Sequence, residues 1–174
     1  VIITKISLPL WREDGNGNMS ILMLDTKGKV WAYGYNVWGQ LGLGDYTTRT
    51  VPSQIAALNG YIIVDIQQSC SNGVHVCALT STGRIFTWGY GGGGGGTGNV
   101  SPYGNGINTA NTNMHTPYLV PITNVTKILA SGCWQSNGGG TVNVTRILKS
   151  DGTTWATGGN QCGQLGIGTT NNAA

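Results

Sequence analysis

Gly28-Lys-Val-Trp-Ala-Tyr-Gly34 is the stretch on which the fold turns. The chain spells it twice more, as Gly83-Arg-Ile-Phe-Thr-Trp-Gly89 and as Gly152-Thr-Thr-Trp-Ala-Thr-Gly158, at offsets of 55 and 69 residues. Each copy has glycine at both ends and an aromatic at the fourth place: Trp31, Phe86 and Trp155. The residues just downstream repeat too. Gly34-Tyr-Asn-Val-Trp-Gly-Gln-Leu-Gly-Leu-Gly44 matches Gly158-Gly-Asn-Gln-Cys-Gly-Gln-Leu-Gly-Ile-Gly168 at seven identical positions. Periodic self-similarity of this kind marks an array of small units that bury their apolar faces against one another.

Each copy is preceded by an apolar strand and a polar turn. These are Ile21-Leu-Met-Leu-Asp-Thr-Lys-Gly28, Val76-Cys-Ala-Leu-Thr-Ser-Thr-Gly83 and Arg146-Ile-Leu-Lys-Ser-Asp-Gly152. A further strand lies upstream in each unit: Ile3–Ile6, Ile63–Ile66 and Val125–Ile128. A unit therefore reads strand, loop, strand, tight glycine turn, strand, glycine-rich segment. The turns carry hairpin chemistry, because glycine takes positive φ without steric penalty. Short strands joined this way suit four-stranded propeller blades. The predicted fold is all-β: about three blades of four-stranded antiparallel sheet. They form one domain over residues 1–174, with repeats near 1–59, 60–123 and 124–174. No amphipathic helix is read.

Composition agrees. The 174 residues include 30 Gly, 21 Thr and 16 Asn, residues that strands and turns use and helices avoid. Charged residues are 9%, far below the roughly 25% of an ordinary domain. The net charge of +3 comes from nine basic and six acidic residues. The basic ones are spread along the chain, whereas a nucleic-acid surface needs them clustered. No apolar run approaches the ~20 residues of a membrane span. Nucleic acid and membrane insertion are therefore not expected. Cys70, Cys77, Cys133 and Cys162 show no CxxC spacing, which argues against a zinc ribbon. Free thiols and a disulfide pair both remain open.

The repeats resemble the Regulator of Chromosome Condensation repeat family. Its hallmark reads Gly-x-x-(aromatic)-x-(aromatic)-Gly-x-Asn-x-x-Gly-Gln-Leu-Gly-x-Gly. Residues 28–44 fit at every place. Residues 152–168 fit except at Thr157, where the second aromatic belongs. Residues 83–89 fit, but the run Gly91–Gly96 replaces the Gly-Gln-Leu-Gly that should come next. Pro52, Ile55 and His75 also look like family positions. The resemblance implies a β-propeller closed from more blades than three. The chain is accordingly expected to be a partial propeller. Further blades would come from the same longer chain or from other subunits in a homo-oligomer, since open sheet edges invite pairing.

Function should sit where the copies differ, mostly in loops. The first and third units enlarge the same connection. It is Pro9-Leu-Trp-Arg-Glu-Asp-Gly-Asn-Gly-Asn18 in one and Gly132-Cys-Trp-Gln-Ser-Asn-Gly-Gly-Gly-Thr-Val-Asn143 in the other. Trp11 and Trp134 stand at nearly equivalent places. Each suits either packing beneath its loop or stacking on a sugar, with Glu13, Asp14, Gln135 and Asn137 to bind hydroxyls. The segment 89–115 is glycine-rich and polar, and reads as either a surface loop or a contact loop with Tyr90, Tyr103 and His115. These eight residues, Trp11, Glu13, Asp14, Trp134, Gln135, Asn137, Tyr90 and Tyr103, are the candidate ligand contacts.

Catalytic machinery is not read here. The acids Glu13, Asp14, Asp25, Asp45, Asp65 and Asp151 fall at unrelated repeat positions, and acid–base work needs a positioned pair. Two histidines do not make a metal site, so no metal and no cofactor are expected. Asn18, Asn99, Asn124 and Asn143 head Asn-x-Ser/Thr triplets, which matter only in a secretory route. The leading expectation is a non-enzymatic binding module on an extracellular adhesin or phage tail fibre. It would sit outside the cell or on a virion and contact a host glycan or protein by weak, multiplied contacts. The alternatives are an intracellular protein-interaction propeller, in the manner of a small-GTPase exchange factor, and a purely structural fibre or baseplate segment.

Overall fold

The computed structural model describes residues 1–9, 19–69, 74–92, 101–106, 113–135 and 140–173, of which 133–135 and 140–141 as backbone. Their strands are β1 (Ile3–Ser7), β2 (Ser20–Asp25), β3 (Val30–Gly34), β4 (Arg49–Gln54), β5 (Ile63–Gln68), β6 (His75–Thr80), β7 (Ile85–Gly89), β8 (Met114–Leu119), β9 (Val125–Gln135), β10 (Gly140–Lys149) and β11 (Thr154–Gly158). They make three antiparallel sheets, ordered β1-β2-β3-β4, β5-β6-β7-β8 and β9-β10-β11. A short 3₁₀ turn, Ala56–Leu58, sits in the connection between the first two sheets. The all-β propeller architecture is what the repeats predicted.

Two details differ. The third sheet has three strands among the described residues. In place of a fourth strand, Ala173 bridges Gly158. That rung has the spacing of the Gly34–Arg49 rung that opens the β3–β4 pairing. The second difference concerns the predicted loop at 132–143. β9 and β10 pair through it as far as Gln135 and Gly140. Trp134 and Gln135 thus lie on a strand, opposite Thr141 and Gly140. The physical cause is the alternating, β-branched run Thr141-Val-Asn-Val-Thr145, which carries strand propensity and buries Val142 and Val144.

The three hairpin turns close with different side chains. In the first, Asp25 Oδ1 accepts the N–H groups of Lys27 and Lys29, each at 2.9 Å. In the second, Thr80 Oγ1 accepts the Arg84 N–H at 2.9 Å. In the third, Asp151 Oδ1 accepts the Thr153 N–H at 2.9 Å. Asp, Ser and Thr favour such turns because their side chains bond backbone two to four residues on.

These turns also join neighbouring blades. The Gly28 carbonyl accepts the Ile63 N–H at 3.0 Å, and the Gly83 carbonyl accepts the Val125 N–H at 3.0 Å. The approach requires glycine. At Gly28 (φ +72°) a Cβ would stand 2.7 Å from the Ile62 side chain and 3.0 Å from Ile63 backbone. Gly152 (φ +82°) is the third copy, and a Cβ there would meet nothing within 4 Å among the described residues. Lys5 of β1 and Asp65 of β5 form an ion pair across the first junction.

Apolar side chains fill the wedges behind these contacts. Leu22, Leu24, Val30, Ile55, Leu58, Ile63, Ile66, Val76, Phe86 and Trp88 belong to one cluster spanning the first two blades. A smaller cluster spans the second and third, with Leu79, Ile85, Val120, Val125, Ile128 and Ile147. Each fully buried aliphatic or aromatic side chain contributes about 1.5–3 kcal/mol.

One polar link crosses the second junction. His75, at the head of β6, is fully buried and lies 2.6 Å by Nε2 from Thr145 Oγ1 of β10. The Thr145 hydroxyl donates to the Pro102 carbonyl at 2.6 Å. It therefore accepts from His75, so the proton sits on Nε2. Burial drives the His75 pKa down to about 3. The same burial pushes the Cys77 thiol up to about 12, and this cysteine is free. Cys162 is exposed. Cys70 and the Cys133 side chain lie outside the described residues.

Two measurements probe this framework. Gly28→Ala and Gly152→Ala share the cost of a left-handed alanine, about 1–2 kcal/mol. Gly28→Ala adds the clash with Ile62 and Ile63, so urea unfolding should show it less stable than Gly152→Ala by about 1–3 kcal/mol. Equal losses would mean that the turn does not hold the next blade. For His75, the unfolded chain binds a proton below about pH 6.5 and the folded one does not until about pH 3. Stability is therefore full above pH 6.5 and falls as pH drops toward 3. Between pH 7.5 and pH 5 the loss should be about 2 kcal/mol. His75→Gln should flatten that slope in denaturant titrations at the two pH values.

Candidate functional site

The loop after β3 folds around one side chain. Asn36 is buried at its base and donates from Nδ2 to the carbonyls of Asp45 (2.9 Å) and Thr47 (3.1 Å), while Oδ1 accepts the Leu41 N–H at 2.9 Å. Gln40 Oε1 accepts the Trp38 N–H at 3.0 Å. The third unit repeats the scheme. Asn160 donates to Thr169 and Asn171 carbonyls, each at 2.8 Å, and accepts from Leu165 at 2.7 Å. Gln164 accepts the Cys162 N–H at 2.8 Å. The Asn and Gln of the repeated motif thus shape the loop, and the two residues between Asn and Gly are left to vary. Those residues are Val37-Trp38 in one copy and Gln161-Cys162 in the other.

Trp38 uses that freedom. Its ring meets Tyr35 edge-on at 5.8 Å and Tyr90, just past β7, at 5.4 Å. The loop seats on the second blade, where the Gly44 N–H donates to the His115 carbonyl at 2.9 Å. A Cβ on Gly39 would collide with the His115 backbone. Beside this contact Tyr46, 47% exposed, tilts against the His115 ring at 4.9 Å. Its hydroxyl lies 3.1 Å from His115 Nδ1. Arg49 and Asp45 pair at 2.5 Å at the loop's foot, and this guanidinium, with the Thr47 N–H, holds the Asp45 carboxyl below its ordinary range. Tyr35, Trp38 and Tyr90 form one aromatic group at the first blade junction, and Tyr46 and His115 form a second.

The predicted contacts distribute differently. Tyr90 belongs to the first group. Tyr103 belongs to neither. It is 1% exposed, and its hydroxyl donates to the Gly89 carbonyl at 2.5 Å and accepts the Met114 N–H at 3.1 Å. Tyr103 therefore works as internal scaffold, with its hydroxyl pKa raised by burial. Trp134 and Gln135 lie in the β9–β10 hairpin. Trp11, Glu13, Asp14 and Asn137 lie outside the described residues. His115, expected in a loop, stands on β8. Tyr35, Trp38 and Tyr46 were not among the residues that the sequence pattern singled out. For Trp38 a signal exists: it occupies a variable place inside an otherwise repeated motif. Asn143, one of the four Asn-x-Ser/Thr sites, is buried in β10.

Among the described residues no helix is long and apolar enough to cross a membrane, and no group of three His, Cys, Asp or Glu gathers where a metal could bind.

Comparison with known proteins agrees with this architecture. Residues 27–79 match the family model of the Regulator of chromosome condensation (RCC1) repeat. The match starts at the first hairpin turn and ends in β6, so a sequence repeat straddles two blades. The chain is 35% identical over 98 residues to the human E3 ubiquitin-protein ligase HERC2, covering 51% of this chain and 2% of the ligase. It is 26% identical over 166 residues to the human probable E3 ubiquitin-protein ligase HERC3, covering 95% of this chain and 14% of the ligase. Among solved structures, Prp20p of Saccharomyces cerevisiae superposes with a TM-score of 0.64 at 24% identity, over 96% of this chain and 34% of that one. The report of that structure describes binding to Gsp1p and histones. The chain thus spans a small part of each of these proteins. Its fold is that of an RCC1-type propeller, and residues 27–79 match the RCC1 repeat.

Trp38→Ala should leave the Asn36-centred loop intact, because its hydrogen bonds are backbone and amide. The expected stability loss is below about 1.5 kcal/mol, since the ring is only partly buried. Asn36→Ala removes three hydrogen bonds made by a buried side chain and should cost about 2–4 kcal/mol. Thermal unfolding of the two variants side by side checks the ranking.

Proposed function

We propose that this chain is a protein-interaction module, an RCC1-type propeller segment whose aromatic surface at the first blade junction engages a protein partner. The observation that carries this reading is the meeting of Tyr35, Trp38 and Tyr46, on a loop tied down by Asn36, with Tyr90 and His115 of the second blade. Aromatic residues are enriched at protein interfaces, where a few well-supported rings supply most of the affinity. The resemblance to the HERC proteins and to Prp20p supports the same class, and suggests a small GTPase or histones as first partners to try. The residues of this surface bind rather than catalyse in this reading. A cellular interior is the location that goes with it.

A second reading keeps the surface-binding adhesin or tail fibre, outside the cell or on a virion. The 9% charged composition favours it. In that case the β9–β10 hairpin, with Trp134 and Gln135, would meet a host glycan, and several copies would act together.

One experiment separates the two. The chain is immobilised and presented with a small GTPase in nucleotide-free, GDP and GTP forms, with histone octamers, and with a glycan array. Protein binding that weakens about 10- to 30-fold in Trp38→Ala supports the interaction module. Glycan binding that falls with Trp134→Ala and ignores Trp38→Ala supports the adhesin. Binding to a protein that neither substitution alters would overturn the assignment of the surface.

A further inference from the structure

The two blade junctions are built from equivalent positions, yet they are filled unequally. At the first, the connection leaves β4 with the Ile55 N–H on the Val30 carbonyl (2.9 Å) and arrives with the Ile63 N–H on the Gly28 carbonyl. At the second, the matching bonds are Val120 N–H to Ile85 carbonyl (3.0 Å) and Val125 N–H to Gly83 carbonyl. Seven residues lie between the anchors in the first case and four in the second. The three missing residues include the 3₁₀ turn. With it goes any counterpart of Leu58, buried in the first wedge, and Thr123 stands two residues before Val125 where Tyr61, whose ring lies 4.8 Å edge-on to Phe86, stands before Ile63.

The receiving strand changes as well. Phe86 and Trp155 occupy one repeat position, each three residues past its turn glycine and paired with Ala78 and Ile147. Phe86 is 4% exposed, whereas Trp155 is 58% exposed. Two residues on, Trp88 is fully buried with Nε1 donating to the Gln40 carbonyl at 3.0 Å. Its counterpart is Thr157, a far smaller side chain, whose hydroxyl donates to the Ala173 carbonyl at 2.9 Å. The outcome is a cavity of about 320 Å³, open to solvent, floored by Ile85, Val120 and Ile147 and walled by Ile122, Trp155 and Thr157. That size is within the range of natural ligand pockets. Among the described lining residues Lys149 alone carries a charge. Its ammonium stands 5.8 Å from the Trp155 ring centroid, with Asp151 3.8 Å away on the turn.

We propose that this cleft is a second recognition site, which takes the aromatic side chain of a partner polypeptide carrying an acidic residue beside it. The partner's ring would occupy the place that Tyr61 and Trp88 fill in the first junction, and its carboxylate would meet Lys149. The chain's own filled junction is the template for the occupant, and the Lys149 charge sets the sign of its neighbour. The site is separate from the loop surface, and either can fail without the other.

The test tracks the methyl NMR signals of Val120, Ile122 and Ile147 in the whole chain during titration with three peptides. The probes are acetyl-Glu-Trp-Glu-amide, acetyl-Lys-Trp-Lys-amide and acetyl-Glu-Ala-Glu-amide. The expected result is saturable shifts with the first, at least fivefold weaker binding of the second, and none with the third. Thr157→Trp should fill the cleft from within, abolish the shifts and raise the unfolding midpoint. Should that variant misfold, Lys149→Glu keeps the cavity and should reverse the preference between the acidic and basic tryptophan peptides. Trp38→Ala should bind the peptide as the parent does. Absence of saturable shifts with both tryptophan peptides, equal binding of the alanine peptide, undiminished binding by a folded Thr157→Trp, or an unchanged preference in Lys149→Glu would each overturn the proposal.

Discussion

A hydrogen bond from the first strand of one blade to the turn glycine of the blade before it sets the spacing of this molecule. Ile63 reaches Gly28 and Val125 reaches Gly83 in the same way. The bond forms only where the turn has no side chain and the backbone adopts positive φ. Once it is made, the distance between adjacent sheets is set, and the wedge behind it must be filled or left open. Core packing, the docking of the loop on β8 and the second-junction cleft all derive from that spacing.

The two wedges show how one geometry accepts different contents. The first is closed by the chain itself, through Leu58, Tyr61, Phe86 and Trp88. Asn36 and Gln40 shape the loop after β3, so Trp38 stands on a fixed base. The second wedge lacks three linker residues and an indole, and it is held in part by the buried pair His75–Thr145. A polar bond in that place constrains geometry and makes stability sensitive to pH, whereas a purely apolar filling would not. The rigid junction therefore carries an outward aromatic surface, and the loosely filled one carries a concave site.

Much of this was legible along the chain. The glycine-bounded repeats marked β3, β7 and β11, and the alternating apolar runs marked the strands before them. Such features depend on backbone geometry, which acts over a few residues and leaves periodic traces. The candidate site was less legible. Tyr103 looked like a free aromatic in a glycine-rich segment, and it became a buried strut because the Gly89 carbonyl and Met114 N–H needed a partner. The stretch around Trp134 looked like a loop because of its glycines, and cross-strand pairing drew it into a hairpin. The three rings of Tyr35, Trp38 and Tyr90 meet across a blade boundary, between residues more than fifty positions apart in the chain.

Local sequence was enough to settle the class: an all-β array of blades, its turn glycines, and the Asn–Gly-Gln-Leu-Gly loops that come after two of them. Those are short-range requirements of φ, hydrogen bonding and alternation, and each is written where it acts. Which aromatics are struts, which face outward and which wedge is full were settled only in three dimensions. Burial depends on what the neighbouring blade brings to the same point in space, and that neighbour lies far along the chain.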